Sequence, residues 1–170
     1  EYILRAHPGA RLRALPCDVT DAAALAALIE DVERATGPVD IAIASAGMAR
    51  PGRFEDISES DHRAAMEVNY FGALALARPV LRRMRARGRG RVLLIGSATG
   101  LAGLFGHSAY GPSKFALRGL GQTLAAECGP DGVQVSVAFP PDVDTPMLAA
   151  ERLMMPPELA AISTMGGVLS

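Results

Sequence analysis

Tyr110 and Lys114 stand four residues apart in Tyr-Gly-Pro-Ser-Lys, at the start of an apolar-periodic stretch. On a helix that spacing puts both side chains on one face. A Tyr hydroxyl titrates near ~10 and is a poor acid–base group at neutral pH. An ammonium beside it favours the phenolate. Lys suits that task as a compact charge with several donors, able to reach a sugar hydroxyl as well. Composition sharpens the pairing: Lys114 is the only Lys among 17 basic residues, and Asn69 is the only Asn. Ser97 precedes Tyr110 by thirteen residues, and Gly100, Gly103 and Gly106 fill the connection. Such a return brings the Ser97 hydroxyl beside the helix start, where it could hold a carbonyl against the Tyr proton donor. Read alone, Ser97 is more readily a cap on the preceding strand.

The elements that must position these groups alternate short apolar runs with longer helical ones. Leu12–Pro16, Val39–Ala44, Arg91–Gly96 and Val133–Phe139 read as strands. Ala22–Thr36 carries Leu25, Leu28, Ile29 and Val32 at helical spacing, with Thr20 as the expected N-cap and Gly37-Pro38 as the stop. Ser58–Ala86 reads as two helical pieces meeting near Asn69, with a kink expected at Pro79. Ala109–Cys128 is a third helical region, ended by Gly129-Pro130. Strands apolar nearly throughout, alternating with helices, predict a parallel α/β sheet covered on both faces. Ligands of such sheets bind beyond the carboxyl ends of the strands. Asp18, Ser45-Ala46-Gly47, Ser97 and Pro140-Pro141 directly follow the four strands, so four candidate contacts fall on one sheet edge.

The chain's 170 residues suffice for one domain. A net charge of −1 provides no electrostatic case for nucleic acid. No apolar run approaches the roughly 18 residues of a membrane span. Cys17 and Cys128 lie far apart, and two reduced thiols are the expectation. The run Arg82, Arg83, Arg85, Arg87, Arg89 and Arg91 falls at a helix end and the following turn, where cations complement the helix dipole. An anionic surface such as a membrane is the alternative use of that run.

These motifs together resemble the short-chain dehydrogenase/reductase family over nearly the whole chain: Asp18-Val19, Ser45-Ala46-Gly47, Val68-Asn69, Ile95-Gly96-Ser97, Tyr110 to Lys114, and Pro140-Pro141 with Thr145. The resemblance implies a Rossmann-type doubly wound parallel sheet and an NAD(P)(H)-dependent carbonyl or alcohol oxidoreductase. By it, Asn69, Ser97, Tyr110 and Lys114 form a catalytic tetrad. Tyr110 passes the proton and Ser97 orients the substrate oxygen. Lys114 lowers the Tyr pKa and binds the nicotinamide ribose, and Asn69 holds a relay water where it disturbs its own helix. Asp18 and Val19 correspond to adenine contacts. Ser45, Ala46 and Gly47 correspond to a turn beside the cofactor, although Ser45 departs from the family's usual Asn there. Pro140, Val143 and Thr145 correspond to the nicotinamide end.

The form Pro140-Pro141-Asp142-Val143-Asp144-Thr145-Pro146 resembles one group of the family, the 3-ketodihydrosphingosine reductases, which reduce a long-chain keto amine with NADPH. That implies NADP(H) rather than NAD(H), a long-chain lipid ketone, and a cytoplasmic, membrane-peripheral location. Residues 144–163 are then expected to form a lid over an apolar acyl-chain site, with Met147, Met154 and Met155 as substrate contacts; a core-covering helix or oligomer contact is the alternative. No Gly-rich turn precedes Asp18, and residues 1–7 read as a helix tail. The family's first strand–helix–strand unit and C-terminal end are therefore expected outside these residues. The residues as they stand are expected to hold dinucleotide weakly, and a homo-oligomer is implied for the parent. Another ketone or alcohol oxidoreductase of the family, or an inactive cofactor-binding fragment, stays open at this level.

Overall fold

The computed structural model describes residues 5–7, 9–163 and 168–169. Its centre is a parallel sheet of β1 (Ile41–Ala44), β2 (Gly90–Ile95) and β3 (Val133–Ala138), in that order. Ala42 lies opposite Val92, and Leu94 opposite Val137. Three helices pack on one face: α1 (Ala22–Thr36), α3 (Gly72–Ala86) and α4 (Tyr110–Cys128). Leu25 and Ile29 of α1, Ala77, Val80 and Met84 of α3, and Leu117 of α4 meet Val92, Leu94, Val133 and Val135 in one core. Such burial is the main stabilising term, about 25 cal/mol per Å² of apolar surface.

The expected cover on both faces is found on one face among the described residues. Each described crossover returns its helix to the same side, so Ile41 and Ile43 on the other side are 60% and 54% exposed. The expected strand Leu12–Pro16 is irregular and largely exposed. A strand needs a ladder partner for its N–H and C=O groups, and the described sheet ends at β1. Arg5 and Ala6 are helical, as the sequence suggested for that tail.

Local chemistry sets the helix starts. Asp21, not Thr20, caps α1, accepting from the Ala24 N–H at 2.9 Å. Thr20 is engaged by Asp18, whose Oδ1 accepts from its N–H at 2.9 Å and its hydroxyl at 2.8 Å. That Asx turn uses the groups a Thr20 cap would need. α2 (Glu59–Met66) opens with a capping box between Ser58 and Asp61. It passes into α3 through a π-helical turn, Glu67–Phe71, in which the Gly72 N–H reaches back to the Glu67 carbonyl. The break between the two pieces therefore falls at Asn69, while α3 continues through Pro79.

After β3, β4 (Asp142–Val143) pairs in parallel with β5 (Val168–Leu169). Between them lie α5 (Pro146–Arg152) and α6 (Pro157–Ser163), separated by residues 153–156. Within the arginine run, Arg83 meets Glu30 at 3.0 Å and Glu33 at 3.1 Å, Arg85 meets Asp131, and Arg87 donates to the Val39 carbonyl. Both cysteines are free thiols. No described helix is long and apolar enough to cross a membrane.

Candidate active site

The inner face of α4 presents Gly111, Ser113, Lys114, Leu117 and Gly121. Gly121 allows close approach, since a Cβ there would overlap Val137 and crowd Leu94. This seats the start of α4 over the carboxyl ends of β2 and β3. Tyr110 is the first residue of α4, and the Gly111 N–H bonds back to the His107 carbonyl at 2.8 Å. Lys114 is 4% exposed; its Nζ donates to the Ile95 carbonyl at 2.8 Å and lies 5.5 Å from the Tyr110 ring centroid.

The electrostatics differ from the simple sequence picture. Burial lowers the Lys114 pKa from 10.5 to about 8. The Tyr110 pKa is raised, not lowered: burial is the largest cause, the hydrogen bond with Ser97 opposes it, and Glu151 and Asp142 push further upward. Desolvation of the phenolate here outweighs the hydrogen bond with Ser97.

Ser97 follows β2, and its Oγ accepts from the Thr99 N–H at 3.2 Å and the Thr99 hydroxyl at 3.0 Å. It thus caps the short turn Ala98–Gly100 and also meets Tyr110. The cap and site readings of Ser97 coexist. The turn packs tightly: a Cβ on Gly100 would come within 2.9 Å of the Lys114 carbonyl. Asn69 is 1% exposed. Its Oδ1 accepts from the Met48 N–H at 2.8 Å, and its Nδ2 donates to the Met48 carbonyl at 2.9 Å and the Ser113 hydroxyl at 2.8 Å. The π-turn therefore ties the loop after β1 to the helix carrying Tyr110 and Lys114.

A cavity of about 420 Å³ opens at this sheet edge. Ser45, Gly47, Ser97, Tyr110, Lys114, Pro140, Val143, Thr145 and Met147 line it, so these expected contacts converge. The model of the short chain dehydrogenase family matches residues 3–156. The chain belongs to the short-chain dehydrogenase family. It is 42% identical to the 3-dehydrosphinganine reductase of Danio rerio over 141 residues, which are 83% of this chain and 42% of that protein. It is 43% identical to the 3-ketodihydrosphingosine reductase of Bos taurus over 136 residues, 80% of this chain and 41% of the relative. The chain thus spans about two fifths of the length of these relatives. The crystal structure of a gluconate 5-dehydrogenase from Burkholderia cenocepacia J2315, in complex with NADP and tartrate, superposes with a TM-score of 0.75 at 29% identity, covering 79% of this chain and 52% of that one. Levodione reductase shares the fold, with a TM-score of 0.86 at 23% identity over 95% of this chain and 63% of its own.

A Cβ on Gly47 would stand 3.3 Å from the Asn69 Oδ1 and 3.7 Å from the Lys114 Nζ, so glycine keeps open a cradle in front of the ammonium. Other expected contacts stand apart. Asp18, Val19 and Ala46 do not line this cavity; Val19 lines a separate groove between α1 and α3. Asn69 lies beneath the cavity rather than on its wall. Met154 and Met155 also fall outside it: they follow the end of α5, where the chain turns away, and the Met154 sulfur accepts from Arg50 at 3.2 Å. Within residues 144–163 the cavity is covered by Thr145, Pro146, Met147, Leu148 and Glu151. Thr145 also caps α5, accepting from the Leu148 N–H at 3.2 Å.

His107 and Glu151 are among the wall residues that escaped sequence reasoning. His107 is 9% exposed, and its ring centroid is 5.7 Å from that of Tyr110. Burial lowers its pKa, with Asp142 opposing, and its Nδ1 has no hydrogen-bond partner. Its place three residues before Tyr110, one turn away, was the available signal. Glu151 is 8% exposed although it lies in the last turn of α5, beside Arg152.

Proposed function

We propose that this chain is the catalytic part of an NADPH-dependent reductase of long-chain 3-keto sphingoid bases. The observation that carries the reading is the convergence of Ser97, Tyr110 and Lys114 on one cavity at the carboxyl ends of the strands. The likeness to two named sphingoid-base reductases, over most of this chain, supports the substrate class. The NADP-bound gluconate 5-dehydrogenase relative supports NADP(H) over NAD(H). Bound nicotinamide supplies the hydride that reduces the carbonyl carbon.

The residues then divide the remaining work. Burial keeps the Tyr110 hydroxyl protonated at neutral pH, as reduction requires of a proton donor. Ser97 donates to the substrate oxygen and holds it against that hydroxyl. Once Tyr110 gives up its proton, the Lys114 ammonium beside its ring stabilises the phenolate. Lys114 has further N–H donors beyond the one given to Ile95, and Gly47 leaves room for a ribose hydroxyl to meet them. Ser45, Pro140, Val143 and Thr145 would form the walls of the nicotinamide site. Asn69 fixes the π-turn and the start of α4 relative to each other. Residues 144–163 act as the substrate lid, with Met147 and Leu148 facing the cavity.

The test is NADPH consumption by the full-length protein with a 3-keto sphingoid base. Substrate-dependent oxidation that is lost in Tyr110→Phe is expected. An absence of turnover in the wild type, with NADPH bound, overturns the reading.

A further inference from the structure

Glu151 projects from α5 into the wall of the catalytic cavity and is 8% exposed. Its carboxylate caps no helix and receives no hydrogen bond or ion pair from the described residues. Asp142 lies on the same wall, and the two carboxylates repel. Burial is the first cause and Asp142 the second of a raised Glu151 pKa. A buried anion beside a second anion is costly unless a cation is supplied. Lys114, the cation of this cavity, is engaged with the Ile95 carbonyl at 2.8 Å. Among the described residues Glu151 itself has no such partner, and a ligand bringing a positive charge to this wall would compensate it.

The position of the pair narrows that ligand. Glu151, Asp142 and Tyr110 line the same cavity, so a cation held at Glu151 shares it with the reacting hydroxyl. No group of three or more His, Cys, Asp or Glu able to hold a metal occurs among the described residues. Two carboxylates instead match an ammonium, whose three N–H donors can be shared between them. Met147 and Leu148 on the same segment supply an apolar wall for the remainder of the molecule.

We propose that Glu151, assisted by Asp142, binds the ammonium group of an amino ketone substrate beside the carbonyl that Tyr110 protonates. The proposal rests on the reductase function above and names the residues that distinguish the amino ketone from neutral ketones of the same chain length. Glu151 would be a specificity residue, making no contact with the transferred proton.

The experiment compares a 2-amino-3-ketone with its N-acetyl analogue in the full-length protein, followed by NADPH consumption. Wild type should favour the charged substrate in kcat/KM. Glu151→Gln keeps shape and polarity and should lower kcat/KM for the amino ketone by roughly thirtyfold or more relative to its effect on the N-acetyl substrate. Asp142→Asn should shift the preference in the same direction by less. If Glu151→Gln lowers both substrates equally, or neither, the ammonium assignment is overturned while the reductase function stands. If wild type reduces neither ketone, the functional reading fails and this inference falls with it.

Discussion

The Asn69 side-chain amide donates to the Ser113 hydroxyl at 2.8 Å, and that hydroxyl donates in turn to the Tyr110 carbonyl at 2.6 Å. This links the π-turn of one helix to the first turn of the next, directly beneath the candidate proton donor. Asn69→Ala would remove three hydrogen bonds from a buried setting and leave the Met48 backbone groups without their partner. We expect a loss of about 2–4 kcal/mol, read as a shift in urea midpoint. Ser113→Ala should cost less, about 1 kcal/mol, because Asn69 keeps both bonds to Met48. Equal effects of the two changes would remove Asn69 from its place as the principal tie.

Tyr110→Phe removes one hydroxyl and preserves the ring beside Lys114 and His107. Turnover should fall by about 10²–10⁴-fold, with cofactor affinity close to wild type. Stopped-flow measurement of the hydride step separates the two quantities. Retention of more than about a third of kcat contradicts general acid participation of that size.

Lys114 is expected to leave a signature in the pH dependence of stability. Its folded pKa of about 8 lies below the ordinary 10.5, so between these values the unfolded chain binds more protons at this site. Stability from this group therefore rises with pH across that window, and at neutral pH burial of the ammonium opposes folding by roughly 3 kcal/mol. Lys114→Met should flatten this part of the profile and stabilise the fold near pH 7, with activity lost. Parallel urea curves for wild type and variant from pH 7 to pH 10 decide the matter. An identical pH slope in both would show that Lys114 is not desolvated.

Gly121→Ala sets two effects against each other. Alanine gains about 1 kcal/mol in helix propensity. Its methyl group, however, would overlap the Val137 side chain, a stiff β-branched neighbour in β3. Overpacking of this kind costs about 1–3 kcal/mol, so net destabilisation is expected, together with reduced kcat as the start of α4 is pushed from the sheet. A thermal melt showing a more stable variant would contradict the close approach of α4 to β3.

Substrate chain length should be sensed at Met147 and Leu148, which line the cavity, and not at Met154 and Met155. Each added methylene should improve kcat/KM by up to roughly 0.8 kcal/mol, about fourfold, until the apolar wall ends. Met147→Ser should flatten that dependence, whereas the double change Met154→Ser, Met155→Ser should keep it. The reverse ranking in a homologous series of 3-ketones would move the acyl site to the loop after α5.

Much of the site was legible in the sequence because its signals are local. A four-residue offset places Tyr110 and Lys114 on one helical face wherever the helix lies, and apolar runs followed by polar or glycine residues mark strand ends as ligand positions. The break at Asn69 also showed locally, since a π-turn interrupts the helix at that residue. What the sequence could not decide depends on partners distant in the chain. Leu12–Pro16 has the pattern of a strand but no described neighbour to complete its ladder. The Tyr110 pKa moves upward because burial, Glu151 and Asp142 outweigh the hydrogen bond with Ser97, and that balance is set by packing rather than by spacing. Met147 and Met154 look alike in sequence, yet only Met147 faces the cavity, because α5 ends before Met154 and the chain turns away. Periodicity and motif spacing report which face of an element a residue occupies. Tertiary structure decides what that face meets, and hence which charges are desolvated and which side chains reach the substrate.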